Sequence, residues 1–267
     1  MSIIYEIISD SRVIIDNNEV FNDQVKQQWE LTFERRLGTY DFYLTIEIKQ
    51  FPKGNSSEMK PMYNLLDIVI KPSAKIRLTI DGDGEFKGLN NQSEILASWV
   101  NCKKDILDKF GEDNNILKMV ENLEYSFENY VVEISTSVYY FILLSQWKRK
   151  KKLTLKTRST VHDGDSVNIE VVCKDKTKDK DNQTHWIHKG EGEIRHYSRF
   201  KKLYEQQLKQ YAHAPFDYKY CMSTEYIWGE KKTVFNLFQK SVTYIEEQAS
   251  DGYKYCNTIQ FKLIDNE

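Results

Sequence analysis

Apolar and polar positions alternate strictly over long runs at both ends of this chain and give way to helical spacing between them. Trp29, Leu31, Phe33 and Leu37 alternate with Gln28, Glu30, Thr32, Glu34 and Arg36. Phe42, Leu44, Ile46 and Ile48 alternate with Tyr43, Thr45, Glu47 and Lys49, and near the end Tyr253, Tyr255, Ile259, Phe261 and Leu263 share one parity. Successive side chains of a strand point to opposite faces, so these runs predict antiparallel sheet with one wet and one buried face. Short strands are expected at Ile3 to Ile8 and Val13 to Ile15, and a hairpin over 25–37 and 39–50 around Leu37-Gly38-Thr39. A loop from Pro52 to Pro61 precedes strands near 63–71 and 75–81, the first with Leu66, Ile68 and Ile70 on one parity. Asp81-Gly82-Asp83-Gly84 reads as a turn, with a short strand starting near Glu85 to Lys87.

At Asn91 the period changes. Asn91 with Glu94 three residues on predicts a capping box. Ile95, Trp99, Cys102, Ile106 and Phe110 then follow at helical steps, and Gly111 ends that helix. A second helix is expected from about Asn115, with Ile116, Val120, Leu123 and Phe127 on its apolar side, so that the two form a helical hairpin. Residues 131–147 mix branched and aromatic types; helix to about Glu133 and then an irregular or extended passage is the expectation. Strands resume near 152–160, 166–173 and 184–196, with Lys174 to Gln183 as a solvated loop of alternating Lys and Asp. A third helix over 198–211 precedes strands near 217–228, 232–246 and 253–265, joined at Gly229-Glu230 and Asp251-Gly252.

Strands and helices in separate runs predict an α+β fold: a curved antiparallel β-sheet, half-barrel-like, packed on a central helical hairpin, with one additional helix near 198–211. One α+β domain over 1–267 is expected, made of N-terminal strands 1–90, helices 91–133, and C-terminal strands with one helix over 152–267. In outline this resembles the half-barrel of lipoprotein-carrier proteins. The resemblance lies in architecture and covers no motif, so it implies a fold and carries no function.

Composition narrows the class. A chain of 267 residues buries roughly 70–75% of its unfolded surface and needs no covalent staples. The net charge of −2 offers no overall attraction to nucleic acid, and no nucleic-acid partner is expected. Cys102, Cys173, Cys221 and Cys256 are far apart, without a C-x-x-C pair, and read as reduced thiols. The start lacks the basic and apolar regions of a secretory signal, which predicts a cytoplasmic protein. The apolar passage before Lys148-Arg149-Lys150-Lys151-Lys152 is shorter than the ~20 residues of a membrane span and is interrupted by Ser, Thr and Gln, so no transmembrane segment is expected. The basic run itself reads as a solvated link.

Candidate chemistry is sparse. Asp81, Asp83 and Glu85 have calcium-loop spacing, but Phe86 and Gln92 stand where such a loop needs Gly and Glu, which leaves a turn. His185, His188, Glu191, Glu193 and His196 are the densest metal-capable cluster. His185 and His188 face opposite ways along a strand, and His188 to His196 spans roughly 26 Å if extended, so no metal and no cofactor are expected. His162-Asp163-Gly164-Asp165 has acid/base residue types in what reads as a turn. No G-x-S-x-G, P-loop, G-x-G-x-x-G or H-E-x-x-H occurs, which tilts the reading away from an enzyme and leaves no catalytic residue to name. The Tyr-rich C-terminal strands, with Tyr218, Tyr220, Tyr226 and Trp228 on one face, suit a ligand-binding or interface surface. Trp99, Phe110 and Phe127 complete that candidate set. The leading expectation is a protein-binding module, such as a toxin-neutralising protein or an accessory part of a secretion or phage-like assembly. The alternative is a carrier of an apolar small molecule held between sheet and helices, and the second alternative a hydrolase with an unfamiliar site. A long edge strand also allows a homodimer.

Overall fold

A computed structural model describes residues 2–36, 39–54, 59–148, 150–162, 165–209, 213–229 and 237–264. The elements run β1 (Ser2–Ile15), β2 (Asn18–Arg35), β3 (Phe42–Gly54), α1 (Lys60–Val69), a 3-10 turn (Lys71–Ser73), β4 (Lys75–Ile80), β5 (Phe86–Leu89), α2 (Gln92–Phe110), α3 (Asn114–Glu128), α4 (Tyr130–Thr136) and α5 (Val138–Ser145). Then come β6 (Lys152–Arg158), β7 (Ser166–Cys173), β8 (Thr177–Lys178), β9 (Thr184–Ile194), α6 (Tyr197–Leu203) with a π-helical turn (Tyr204–Leu208), β10 (Lys219–Trp228), β11 (Lys240–Ser250) and β12 (Tyr253–Ile264). The fold is α+β with an antiparallel sheet. Its hydrogen-bonded order among the described residues is β5-β4-β3-β2-β1-β12-β11-β10-β9-β7-β6, with β8 beside β9, and it does not close into a barrel.

β1 is one strand where two short ones are expected, and a two-residue turn joins it to β2. Asp16 and Asn17 in that turn have φ of 46° and 66°. Positive φ at both central residues matches the twist of a hairpin, and Asp and Asn tolerate it. The contacts of the chain group into two compact units, one of Met1–Glu6, Val25–Ser135 and Ile264–Glu267, the other of Ile7–Gln24 and Thr136–Leu263.

In the first unit β2, β3 and β4 bury alternate side chains: Leu31 and Phe33, Leu44 and Ile46, Ile76, Leu78 and Ile80. The predicted parity of β2 and β3 is the observed one. Leu37 and Gly38 of the expected hairpin turn lie outside the described residues. α2 buries Ile95, Trp99, Cys102 and Ile106, and α3 buries Val120 and Phe127. The start of α2 is fixed differently from the expected capping box. Asn91 does not cap the helix with its side chain; its Oδ1 accepts from Arg77 N–H and its Nδ2 donates to Lys75 O, both at 2.9 Å. Asn91 thus clamps the helix entry to β4, and Glu94 pairs with Arg77 at 3.2 Å. The cap of α3 is Asp113, which accepts from Asn115 and Ile116 N–H.

The expected strand over 63–71 is replaced by α1. Pro at the first turn has its φ preset for a helix and has no N–H to leave orphaned there. Ile68 is buried, with Leu65, Leu66 and Val69 half-buried. A short apolar run has no period of its own to separate strand from helix.

In the second unit β6, β7, β9, β10 and β11 present Leu153, Leu155, Val167, Ile169, Val171, Trp186, Tyr220, Met222, Tyr226 and Ile245 to the interior. The expected extended passage after Glu133 is instead α4 and α5. Tyr140 to Ser145 are all buried, so α5 has no polar face, and a helix covered all round shows no amphipathic period. Tyr226 OH lies 2.9 Å from Ile142 O and 2.6 Å from Ser145 Oγ, and Gln146 Oε1 accepts from Phe238 N–H at 3.0 Å. These bonds fasten the end of α5 within the unit. The third expected helix starts at Tyr197 and buries Phe200 and Tyr204 against Val161, Ile194 and Ala249. Its predicted end at Tyr211, like Glu230 of an expected turn, lies outside the described residues.

Two glycines face the interior of β9. A Cβ on Gly192 would stand 2.6 Å from Val167 Cγ1 and 3.0 Å from Tyr220 Cδ1, and one on Gly190 would stand 2.8 Å from Ile169 Cγ2. Neighbouring strands fill the space a side chain needs, and β9 continues straight through both positions. Across β1 and β12, Ser9 Oγ donates to Asn257 Oδ1 at 2.9 Å in a buried bond, and Ser11 and Tyr255 hydroxyls meet at 3.2 Å. The end strands are blunted: β5 has four residues, and β6 exposes Lys152, Lys156 and Arg158, the devices that discourage edge pairing.

Candidate functional site

The seven candidate aromatics fall in both units. Trp99 and Phe127 meet in the first, with ring centroids 4.9 Å apart, and Phe127 stacks on Tyr130 at 6.0 Å. Phe110, at the end of α2, is half-buried, with Lys109 Nζ 5.4 Å from its ring. Tyr220, Tyr226 and Trp228 share the buried face of β10, as the parity predicts. Tyr218 lies one residue before that strand, and its OH donates to Glu247 Oε1 at 2.8 Å.

Tyr226 is the hub of the second set. Trp186, His188, Trp228 and Phe238 have ring centroids 6.1, 4.9, 5.8 and 5.3 Å from it. Strand register assembles this cluster: Tyr226 pairs with Trp186, and Thr224 with His188. Burial pushes the Tyr226 and Tyr220 hydroxyls far above their ordinary pKa, so both stay neutral. Trp186 is a member that the parity of β10 alone does not reveal; the signal was its place on the inner parity of the facing strand.

His188 is 1% exposed, and neither ring nitrogen has a hydrogen-bond partner among the described residues. Burial, with a smaller push from the Lys176 charge, lowers its pKa to about 4. A base whose folded pKa lies below its unfolded one resists the proton that the unfolded chain accepts. Stability from this group is therefore complete above about pH 6.5 and falls as pH drops toward 4. We expect a loss of roughly 3 kcal/mol across that window, measured as denaturant-unfolding free energy against pH. The loss should shrink clearly in His188→Phe; equal slopes in the two proteins would refute the assignment.

His185 and His196 find carboxylates. His185 Nδ1 lies 2.9 Å from Glu225 Oε1, and its Nε2 3.0 Å from Asp179 Oδ2. Glu225 first, then Asp179, raise its pKa. His196 Nδ1 lies 3.1 Å from Asp165 Oδ1, which also accepts from Ser166 N–H. Burial pushes the Asp165 carboxyl up, but the bonds from Ser166 and His196 together outweigh it and hold the group below the usual carboxylate range. His185 and His188 do face opposite ways, and no group of three or more metal-capable side chains is found among the described residues. Asp163 and Gly164 lie outside them. Asp81 is used by its turn: its Oδ1 accepts from Asp83 and Glu85 N–H, and its Oδ2 meets Lys87 Nζ at 2.7 Å.

Sequence reasoning missed Glu247, which has no exposed surface. Its Oε1 accepts from Ser159 Oγ at 2.6 Å as well as from Tyr218, and its Oε2 accepts from Thr160 N–H at 2.7 Å. It sits on the same parity as Thr243, Ile245 and Ala249, all buried. That parity was the available signal, and the expected strand stopped one residue short of it.

Two open grooves lie over sheet faces, each with a lining that mixes polar and apolar side chains. A groove of about 920 Å³ crosses the wet face of β6, β7 and β9, lined by Lys156, Asn168, Glu170, Lys189, Glu191 and Glu193 among others. One of about 620 Å³ lies over Thr32, Glu34, Tyr43, Glu47, Lys75 and Arg77. None of the seven candidate aromatics lines either groove. The basic run reaches acids, Lys152 to Glu170 at 2.8 Å and Lys151 to Asp175 at 3.9 Å. No helix among the described residues is long and apolar enough to cross a membrane.

No protein-family model matches the sequence, and no curated protein matches it.

Proposed function

We propose that this chain is a non-enzymatic cytoplasmic protein-binding module, of the kind that neutralises a toxin or serves a secretion or phage-like assembly. The observation that carries the reading is apolar exposure on three consecutive helices of the first unit. Val100 is 66% and Tyr125 67% exposed, and Leu117, Val131 and Val132 join them. Apolar side chains in water are tolerated singly, whereas several on neighbouring elements suit a partner surface. Residues 91–133 carry nine acidic and four basic side chains, so the partner that fits is a basic protein. Free Cys102, Cys173 and Cys256, all buried, agree with a reducing compartment.

The carrier reading gains no support from the two grooves described, since none of its seven aromatics lines either. A hydrolase would draw on His196 and Asp165, but a catalytic pair needs a nucleophile within hydrogen-bond reach, and among the described residues none is bonded to His196.

The test is affinity purification at low salt of the native chain and of a Tyr125→Glu, Val132→Glu double variant, with circular dichroism to check folding. A basic protein should be retained by the native chain, released as salt rises, and bound at least ~10-fold more weakly by the variant. No retained protein, or equal retention by both, overturns the reading.

A further inference from the structure

The loop between β7 and β9 places a lysine between two tryptophans. Trp186 on β9 and Trp228 on β10 have ring centroids 6.2 Å apart at an angle of 42°. Lys176 Nζ lies 4.6 Å from one centroid and 4.5 Å from the other. The backbone of the loop is fastened independently of that side chain. Trp186 Nε1 donates to Lys174 O at 2.6 Å, Lys174 N–H donates to Ile187 O at 2.9 Å, and Thr177 and Lys178 pair with His185 and Thr184. The lysine side chain can leave the rings while the loop stays in place.

The resident cation fits this site poorly in one respect. A primary ammonium carries three N–H donors and a tight hydration shell. Among the described residues Lys176 has no hydrogen-bond acceptor or carboxylate in contact, and burial alone depresses its pKa. A quaternary ammonium has no N–H to satisfy and is held by the faces of such rings, tryptophan above all. The imidazole of His188, edge-on to Trp186 at 4.2 Å, is neutral above about pH 5 and adds no competing charge.

We propose that Trp186 and Trp228 form a binding site for a trimethylammonium group, and that Lys176 occupies it as an internal stand-in which the ligand displaces. This site lies in the second unit and stands apart from the protein partner proposed for the first. The same head group occurs free, as in choline, and on trimethylated lysine in a peptide.

The test titrates native protein, Lys176→Ala and Lys176→Arg with tetramethylammonium, choline and a trimethyllysine peptide at constant ionic strength, following tryptophan fluorescence. An unmethylated peptide and 3,3-dimethylbutanol, the uncharged counterpart of choline, are the comparison ligands. Lys176→Ala should bind at least one trimethylammonium probe saturably and ~10-fold more tightly than the native chain, since nothing competes for the rings. Lys176→Arg keeps a cation there and should resemble the native chain. Stronger binding of choline or of the peptide identifies the source of the head group. Absence of saturable binding in Lys176→Ala, equal affinity in all three proteins, or equal binding of the uncharged alcohol overturns the proposal. Lys176 is exposed as a residue although its ammonium is partly shielded by the two rings, so its substitution uncovers those rings and leaves the other core side chains in place.

Discussion

Glu247→Ala is expected to lower the unfolding free energy by about 3–5 kcal/mol, read from guanidinium unfolding curves. Three donors converge on that carboxyl from two segments of the second unit: the Ser159 hydroxyl and the neighbouring Thr160 amide from one, and the Tyr218 hydroxyl from the other. Alanine leaves the buried Ser159 hydroxyl and the part-buried Tyr218 hydroxyl and Thr160 amide without their acceptor, and each unsatisfied buried donor costs about 1–3 kcal/mol. Glu247→Gln keeps one carbonyl acceptor and should lose less than the alanine variant. If alanine costs under ~1 kcal/mol, water reaches these donors and the carboxyl is not the anchor that its burial indicates.

Trp99→Ala is expected to cost about 3–5 kcal/mol, the range for emptying a large buried aromatic site. Trp99 is 2% exposed and lies against Phe127. Its indole N–H has no hydrogen-bond partner among the described residues, so the loss is one of packing and burial. Trp99→Phe should therefore recover much of the stability, since it restores ring volume and removes an unsatisfied donor. If Trp99→Phe costs as much as Trp99→Ala in thermal melts, the indole nitrogen matters in a way the geometry does not show.

The fold was legible where one face of an element is wet. The alternation in β2, β3 and β10 and the four-three steps of α2 come from side chains that must choose between water and core, and the choice writes a period into the sequence. α5 has no wet face, so it has no period. α1 carries Leu66, Ile68 and Ile70 on strand parity, and Pro61 at its first turn was the better guide. The Asp16-Asn17 turn also carried a signal, two residues that accept positive φ, within what read as a gap between the short strand at Val13 to Ile15 and the hairpin from residue 25. Asn91 shows a right boundary reached for the wrong reason: the helix starts there because its amide is tied to β4. The candidate site was legible only as parity. Tyr220, Tyr226 and Trp228 share a face as expected, but their company of Trp186, His188 and Lys176 depends on strand register and loop path, which no local pattern encodes. Glu247 departs from the rule that acids face water, and donors from distant segments are what keep it inside.

The bond between Ser9 and Asn257 joins residues 248 positions apart. On a ribosome adding about 5–20 residues per second, the first strand waits roughly 10–50 s before its late neighbour is made. Throughout that interval the nascent chain holds an unzipped β-edge next to apolar Ile3, Tyr5 and Ile7, a target for chaperones and for other copies still being translated.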